Sequence, residues 1–352
     1  MSTDQNEKAA RTLNPRSVWL PVIIGFVIIG ITLARDENFT WNSLTRITEI
    51  APGALLVTLL LLLLKDFFNM LRIGFLSGGE FGLSNVFYVV LLWEFAIAVT
   101  PPVIGATAVL VFIMLREGLS FGKALAYTML AAIMDNLFFL TASPIALWLS
   151  GGRVIPDSTV ADSVLGGSLE YLFYLSYGSI TFFTAFMSSA ILFLPKTIRR
   201  LLESLMSLRW FKKWKPAVTR QSQELELASR VLKGKPFFYW LRLVGFTYLV
   251  WLLKYSIVNA VMAGFVPMDL EDHLLAIGRH LTMWVVMLVS PSPGNAGSAE
   301  VIFSAFYGQL LGDYTFVASL IWRMLTFYPY LIVGALLLPK WSKRIALKAG
   351  QS

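Results

Sequence analysis

Apolar residues run along this chain in stretches of fifteen to twenty-six positions, with charged residues gathered mainly at their ends. Stretches of that length predict helices that cross a bilayer, because about 20 apolar residues at 1.5 Å each cover roughly 30 Å of hydrocarbon. The pattern predicts a polar cytoplasmic tail over 1–16 and an uncleaved first span over Ser17–Ala34. A second span covers Ile50–Leu64, and further spans cover Ala124–Leu149, Glu170–Leu194, Trp240–Gly264 and Tyr314–Leu338. Lys65 to Leu76 mixes charges with aromatics, and two readings fit it equally: a helix lying in the interface, or an extension of the second span.

Two regions break this rhythm. Asn85–Val99 is too short to cross and stops at Thr100-Pro101-Pro102. Val103–Leu115 is again short and ends at Arg116-Glu117-Gly118. Gly278–Val289 likewise runs into Ser290-Pro291-Ser292-Pro293-Gly294, from which Ser298–Leu311 leads to Gly312-Asp313. Proline removes a backbone donor and glycine weakens a helix, so these breaks must be buried in protein or line a cavity rather than face lipid. They are expected to be the tips of re-entrant hairpins over about 85–115 and 278–311. The expected architecture is all-α: a first repeat over 17–150 and a second over 170–338 in inverted topology, each with three spans and one hairpin. A basic cytoplasmic linker over 195–239 lies inside the second repeat, and a cytoplasmic tail covers 339–352.

Composition sharpens the class. Of 352 residues 57% are hydrophobic and 14% charged, which demands lipid as solvent for several segments. Cysteine is absent and histidine occurs only at 273 and 280, which removes disulfides, thiolate metal sites and Cys-His catalysis. No metal, nucleotide or other cofactor motif is present, and none is expected. The formal charge of +8 sits beside the spans, so it is read as orientation and attraction to an anionic leaflet, especially through 195–239, and not as nucleic-acid binding. On the expected topology 22 Lys and Arg fall on the cytoplasmic side and 3 outside, a bias that places both termini in the cytoplasm.

The candidate chemistry lies at the breaks and at charges inside spans. Thr100-Pro101, Ser290-Pro291 and Ser292-Pro293 have the form of an N-cap followed by proline. Half-helices starting there, with Gly105, Gly294 and Gly297 nearby, would aim free N–H groups at a phosphate. Lys254, Arg323 and Asp135 lie within spans, and Glu94 and Glu300 flank the breaks. A charge at the bilayer centre costs about 2.5–3.5 kcal/mol on insertion scales, so these residues are expected to face inward, as ligands or as fixed pairs such as Asp135 with Arg323 or Glu300 with Lys254. Arg279 and His280 are placed at an outer entrance and Arg116 at an inner one.

At these same residues the chain resembles the flippase-like transmembrane region of lysylphosphatidylglycerol synthases. The motif Pro291-Ser292-Pro293-Gly294…Gly297…Glu300, the stretch Trp93–Ala108 leading to Asp135, and the tail around Arg323 carry the resemblance. The family often has a second glycine where this chain has Asn295, and Gly-Gly where it has Gly105-Ala106. The resemblance implies movement of lipids with charged head groups between leaflets. With only 14 residues after Leu338, a fused synthase domain and its aminoacyl transfer are not expected.

The reading that results is a non-enzymatic translocase of the bacterial cytoplasmic membrane for a phosphate-containing lipid: a phospholipid, an aminoacylated phospholipid or a polyprenyl-phosphate-linked glycan. Membrane lipids are its expected partners, with a homo-oligomer or envelope-synthesis proteins as further ones. Two other classes fit the same residues: an enzyme acting on lipid-linked sugars or phosphates with the carboxylates as acid and base, and a scaffold docking through 195–239.

Overall fold

The computed structural model describes residues 45–100, 105–157, 167–189, 232–288 and 298–350, with isolated positions between 197 and 230. The first expected span, most of the basic linker and both break motifs (Pro101 and its neighbours, and Ser290 to Gly297) lie outside the described residues. Among the described residues the fold is all-helical. We number its helices α1 (Pro52–Leu76), α2 (Leu83–Val99), α3 (Gly105–Arg116), α4 (Phe121–Ser150), α5 (Leu169–Ser188), α6 (Phe237–Ala263), α7 (Leu270–Met287), α8 (Ser298–Leu311), α9 (Thr315–Thr326) and α10 (Tyr328–Gly350). Among the described residues four stretches are long and apolar enough to cross a membrane: α1, α4, α6 and the nearly continuous run Ala299–Lys348.

The helix α1 settles the reading of Lys65 to Leu76. Pro52 starts it, where a missing N–H costs nothing, and it continues without interruption past Lys65 to Leu76. No interfacial helix forms. Lys65 and Arg72, placed on the cytoplasmic side by the apolar run alone, are instead 3% exposed inside the bundle. The reason is the periodicity of α1. Lys65, Asn69, Arg72, Ile73 and Leu76 share the buried face, whereas Leu56, Leu60, Leu63 and Phe67 are exposed on the other. Such a helix is polar inside and apolar outside, the reverse of one dissolved in water.

The pair α1 and α6 runs antiparallel through the centre and forms the most extensive helix contact. At one end the Ala51 N–H donates to the Gly264 carbonyl at 2.9 Å, and at the other the Tyr239 hydroxyl donates to the Leu76 carbonyl at 3.2 Å. A Cβ on Gly264 would meet the Ile50 side chain at 2.6 Å, so glycine is what lets the two helices close up there.

The two short-helix pairs lie against this centre. Arg344 at the far end of α10 donates to Ser84, Asn85 and Glu117, so the start of α2 and the turn after α3 sit together at the end reached by Leu76. Arg46 pairs with Asp313 at 3.2 Å and Tyr314 stacks on Phe265, which places the turn after α8 at the opposite end, beside the start of α1. There Tyr314 also donates a hydrogen bond to Glu49 at 2.8 Å.

The expected final span is interrupted. Helix α9 stops at Thr326, Phe327 leaves the helical region, and α10 then continues to Gly350 with Pro339 inside it. Gly334 of α10 lies so close to α2 that a Cβ would overlap the Phe95 ring, and this contact seats α10 on the first short pair.

Candidate functional site

Three ionic groupings lie inside the bundle. The first joins α1, α2 and α10. Lys65 Nζ donates to Glu94 Oε1 at 2.7 Å, pairs with Asp66 at 2.8 Å and donates to the Tyr330 hydroxyl at 2.9 Å. That hydroxyl in turn faces both Asp66 oxygens at 2.9 Å. One ammonium therefore serves two carboxylates.

The second grouping joins α1, α4 and α6. Arg72 Nη1 donates to Asp135 Oδ1, which also accepts from the Trp251 indole N–H at 2.8 Å. Lys254, one turn beyond Trp251, rests its ammonium 4.7 Å from that ring's centroid. Among the described residues it makes no ion pair, yet it sits in the combined field of Glu94, Lys65, Asp135 and Arg72. Asn69 Oδ1 and Arg72 Nε are buried here with no hydrogen-bond partner among the described residues.

The third grouping is separate. Glu300, in the first turn of α8, accepts from Arg323 Nε at 3.0 Å, and the guanidinium lies 4.1 Å from the Phe327 ring centroid. The kink at Phe327 thus brings a ring onto the pair.

Several expected site residues move. The proposed pairs Asp135 with Arg323 and Glu300 with Lys254 do not form; the partners are Arg72 for Asp135 and Arg323 for Glu300, because α6 packs on both α1 and α4, and α9 packs on α8. Thr100 does not cap a following half-helix. It is the C-cap of α2, and its hydroxyl donates back to the Ala96 carbonyl at 2.6 Å.

Arg279 is no entrance residue either. It is buried and donates to the carbonyls of Phe306 and Arg153, so it ties α7 to α8 and to the turn after α4. His280 is buried beside it, 3.0 Å from the Tyr307 hydroxyl and packed on Tyr255 and Trp322. Arg116 lies at the end of α3 with its guanidinium over the Phe112 ring.

The residues that the apolar pattern missed are Lys65, Asp66, Asn69, Arg72 and Tyr330. Their signal was the 65, 69, 72 spacing, which puts three polar side chains on one face of a helix that is otherwise leucine-rich. Among the described residues no three His, Asp or Glu side chains come together as a group that could hold a metal.

Residues 18–334 match the family model described as the lysylphosphatidylglycerol synthase TM region. The chain belongs to this family. No curated protein matches it. Membership in a membrane family and the four span-length apolar stretches together make it a multi-pass membrane protein.

Proposed function

We propose that the chain moves a phosphate-containing lipid between the leaflets of the bacterial cytoplasmic membrane, with both termini in the cytoplasm. The observation that carries this reading is the mid-helix cluster of Lys65, Asp66, Arg72, Glu94, Asp135 and Lys254. Six charges inside a bundle whose outer faces are apolar are costly for a structural element, because replacing a buried pair by apolar side chains is often neutral or stabilising. Their retention is explained if a charged head group passes them. Lys254, whose described contact is an aromatic ring, is the cation that can take a phosphate without first losing a carboxylate at contact distance. The Arg72 Nε–H, buried and without a partner among the described residues, adds an unused donor in the field of Lys254.

The helix order supports the same mechanism. The first short pair begins and ends at one end of the bundle and the second at the opposite end, the arrangement expected of two inverted repeats with re-entrant hairpins. Each hairpin would open the central cluster to one leaflet in turn. Glu300, in the first turn of the second return helix, is paired with Arg323 of α9, which would tie that helix to the last described stretch. The apolar chains of the lipid would stay in the bilayer while its head group crosses along the cluster.

The test is reconstitution of the purified protein in liposomes. Loss of a labelled phospholipid or polyprenyl-phosphate sugar from one leaflet is followed with time, for the wild type and for Lys254→Met. Faster movement that the variant loses supports the reading, and no acceleration for any lipid with the fold intact refutes it. Conversion of a lipid-linked substrate in detergent, where no leaflets exist, would favour an enzyme instead.

A further inference from the structure

The distribution of charge within the cluster bears on how transport is driven. Arg72 and Asp135 balance one another. The grouping of Lys65, Asp66 and Glu94 does not: one cation sits between two carboxylates and leaves one negative charge in excess. Among the described residues the balancing charge is Lys254, which neighbours Glu94 and is separated from it by more than ion-pair distance. The cluster is thus neutral only as long as Lys254 answers to Glu94.

A singly charged phosphodiester that docks on Lys254 takes that balance away. The excess negative charge then stands buried in a low-dielectric interior beside a second anion, which is strongly unfavourable. Two carboxylates that share a single counter-ion are the arrangement in which one of them holds a proton. Resting on the translocation proposed above, we infer that the protein carries one proton with each anionic lipid and that Glu94 is the residue that takes it.

Geometry selects Glu94 over its neighbours. Asp66 is held by both Lys65 and Tyr330, and Asp135 by both Arg72 and Trp251. Glu94 accepts from Lys65 alone, through Oε1, so it is held by the fewest donors of the three carboxylates and its Oε2 is available to a proton. The groups that face it are Lys65, Asp66 and Arg72 from α1, Lys254 from α6 and Tyr330 from α10. Helix α3, which also packs on α2, carries no ionisable side chain before Arg116 at its end.

In the cycle a proton from the aqueous phase binds Glu94 Oε2 as the lipid phosphate meets Lys254, and both leave together on the opposite side. No covalent bond of the lipid changes, and no net charge crosses.

The experiment uses the full chain in vesicles of zwitterionic lipid containing a trace of fluorescent phosphatidylglycerol, whose outer-leaflet fraction is read by chemical quenching. A one-unit pH difference across the vesicle is expected to sustain about a tenfold excess of the probe in the leaflet facing the alkaline side. An imposed potassium-diffusion potential is expected to leave that ratio unchanged. Rapid but even distribution of the probe under the pH difference would overturn the inference and leave translocation standing, as would a ratio that follows the potential. Probe movement no faster than in protein-free vesicles would overturn translocation itself, and the inference with it.

Glu94→Gln, checked for folding by its unfolding midpoint, is expected to abolish the pH-driven ratio. Glu271→Gln, in the exposed pair with Arg153, is expected to keep it. Retention of the full ratio by Glu94→Gln would overturn the assignment to Glu94. The wild-type arm measures the coupling without either variant.

Discussion

Removal of Arg72 tests the central cluster most directly. In Arg72→Met, Asp135 keeps only the Trp251 N–H as a contact partner among the described residues, with the Lys254 charge further off. Both side chains are well inside the bundle, with Arg72 3% and Asp135 15% exposed. Breaking a buried pair by deleting one partner costs about 3–5 kcal/mol, because the remaining charge stays buried. Neutral polar contacts between membrane helices are worth far less, about 0.6 kcal/mol on average, so the size of the effect separates an ion pair from an ordinary hydrogen bond. Asp135→Leu is expected to cost about as much as Arg72→Met, since it orphans the guanidinium and the indole N–H together. The double variant, which removes both charges and leaves only the Trp251 N–H unpaired, should then cost less than either single change, giving a coupling of at least about 3 kcal/mol. The assay is reversible unfolding in mixed micelles titrated with dodecyl sulfate, followed by tryptophan fluorescence. Single variants that each cost less than about 1 kcal/mol, or a double variant equal to the sum of the two, would refute the pair as the structure draws it.

Other outcomes follow from the same contacts. Lys254→Arg is expected to retain lipid movement in liposomes and Lys254→Met to lose it, because the cation and not its shape meets the phosphate. Tyr330→Phe removes the hydroxyl shared by Lys65 and Asp66 and should lower stability by about 1–3 kcal/mol in the same micelle titration. Glu117 accepts from Trp341 at 2.7 Å and from Arg344, with Lys348 at 3.5 Å. Glu117→Leu should therefore release the end of α10, seen as faster amide deuterium exchange over 342–348 than in the wild type. Gly334→Ala forces a methyl into the Phe95 ring and should cost about 1–3 kcal/mol, an increment expected to vanish when the same change is made on a Phe95→Ala background.

The sequence made the coarse plan legible wherever length and composition alone decide. The short helices beside the breaks were readable because proline and glycine act locally: α2 ends at Val99 and α8 at Leu311 as expected, and α3 ends one residue beyond Leu115. Helix α7 begins eight residues earlier than its apolar run, since Asp269 and Asp272 form a capping box that starts the helix in the acidic loop. Apolarity is blind to caps. The same limit applies to Phe327, where an unbroken apolar run hides a change of helix direction.

Partner choice inside the bundle was out of reach for a different reason. Asp135 and Arg323 were both recognisable as costly charges, but which cation meets which anion depends on the rotation of each helix about its axis, and an apolar segment fixes that rotation only weakly. In α1 the polar face fixes it strongly. Lys65, Asn69 and Arg72 can all avoid lipid in only one orientation, and that orientation turns them toward Glu94, Asp135 and the α6 pair of Trp251 and Lys254. Helix α1 thus presents exposed leucines on one face and the buried Lys65, Asn69 and Arg72 on the other. Any movement of a head group along the cluster must follow its inward face, and substitutions there should change transport and stability together, whereas exchanges among Leu56, Leu60 and Leu63 should change neither.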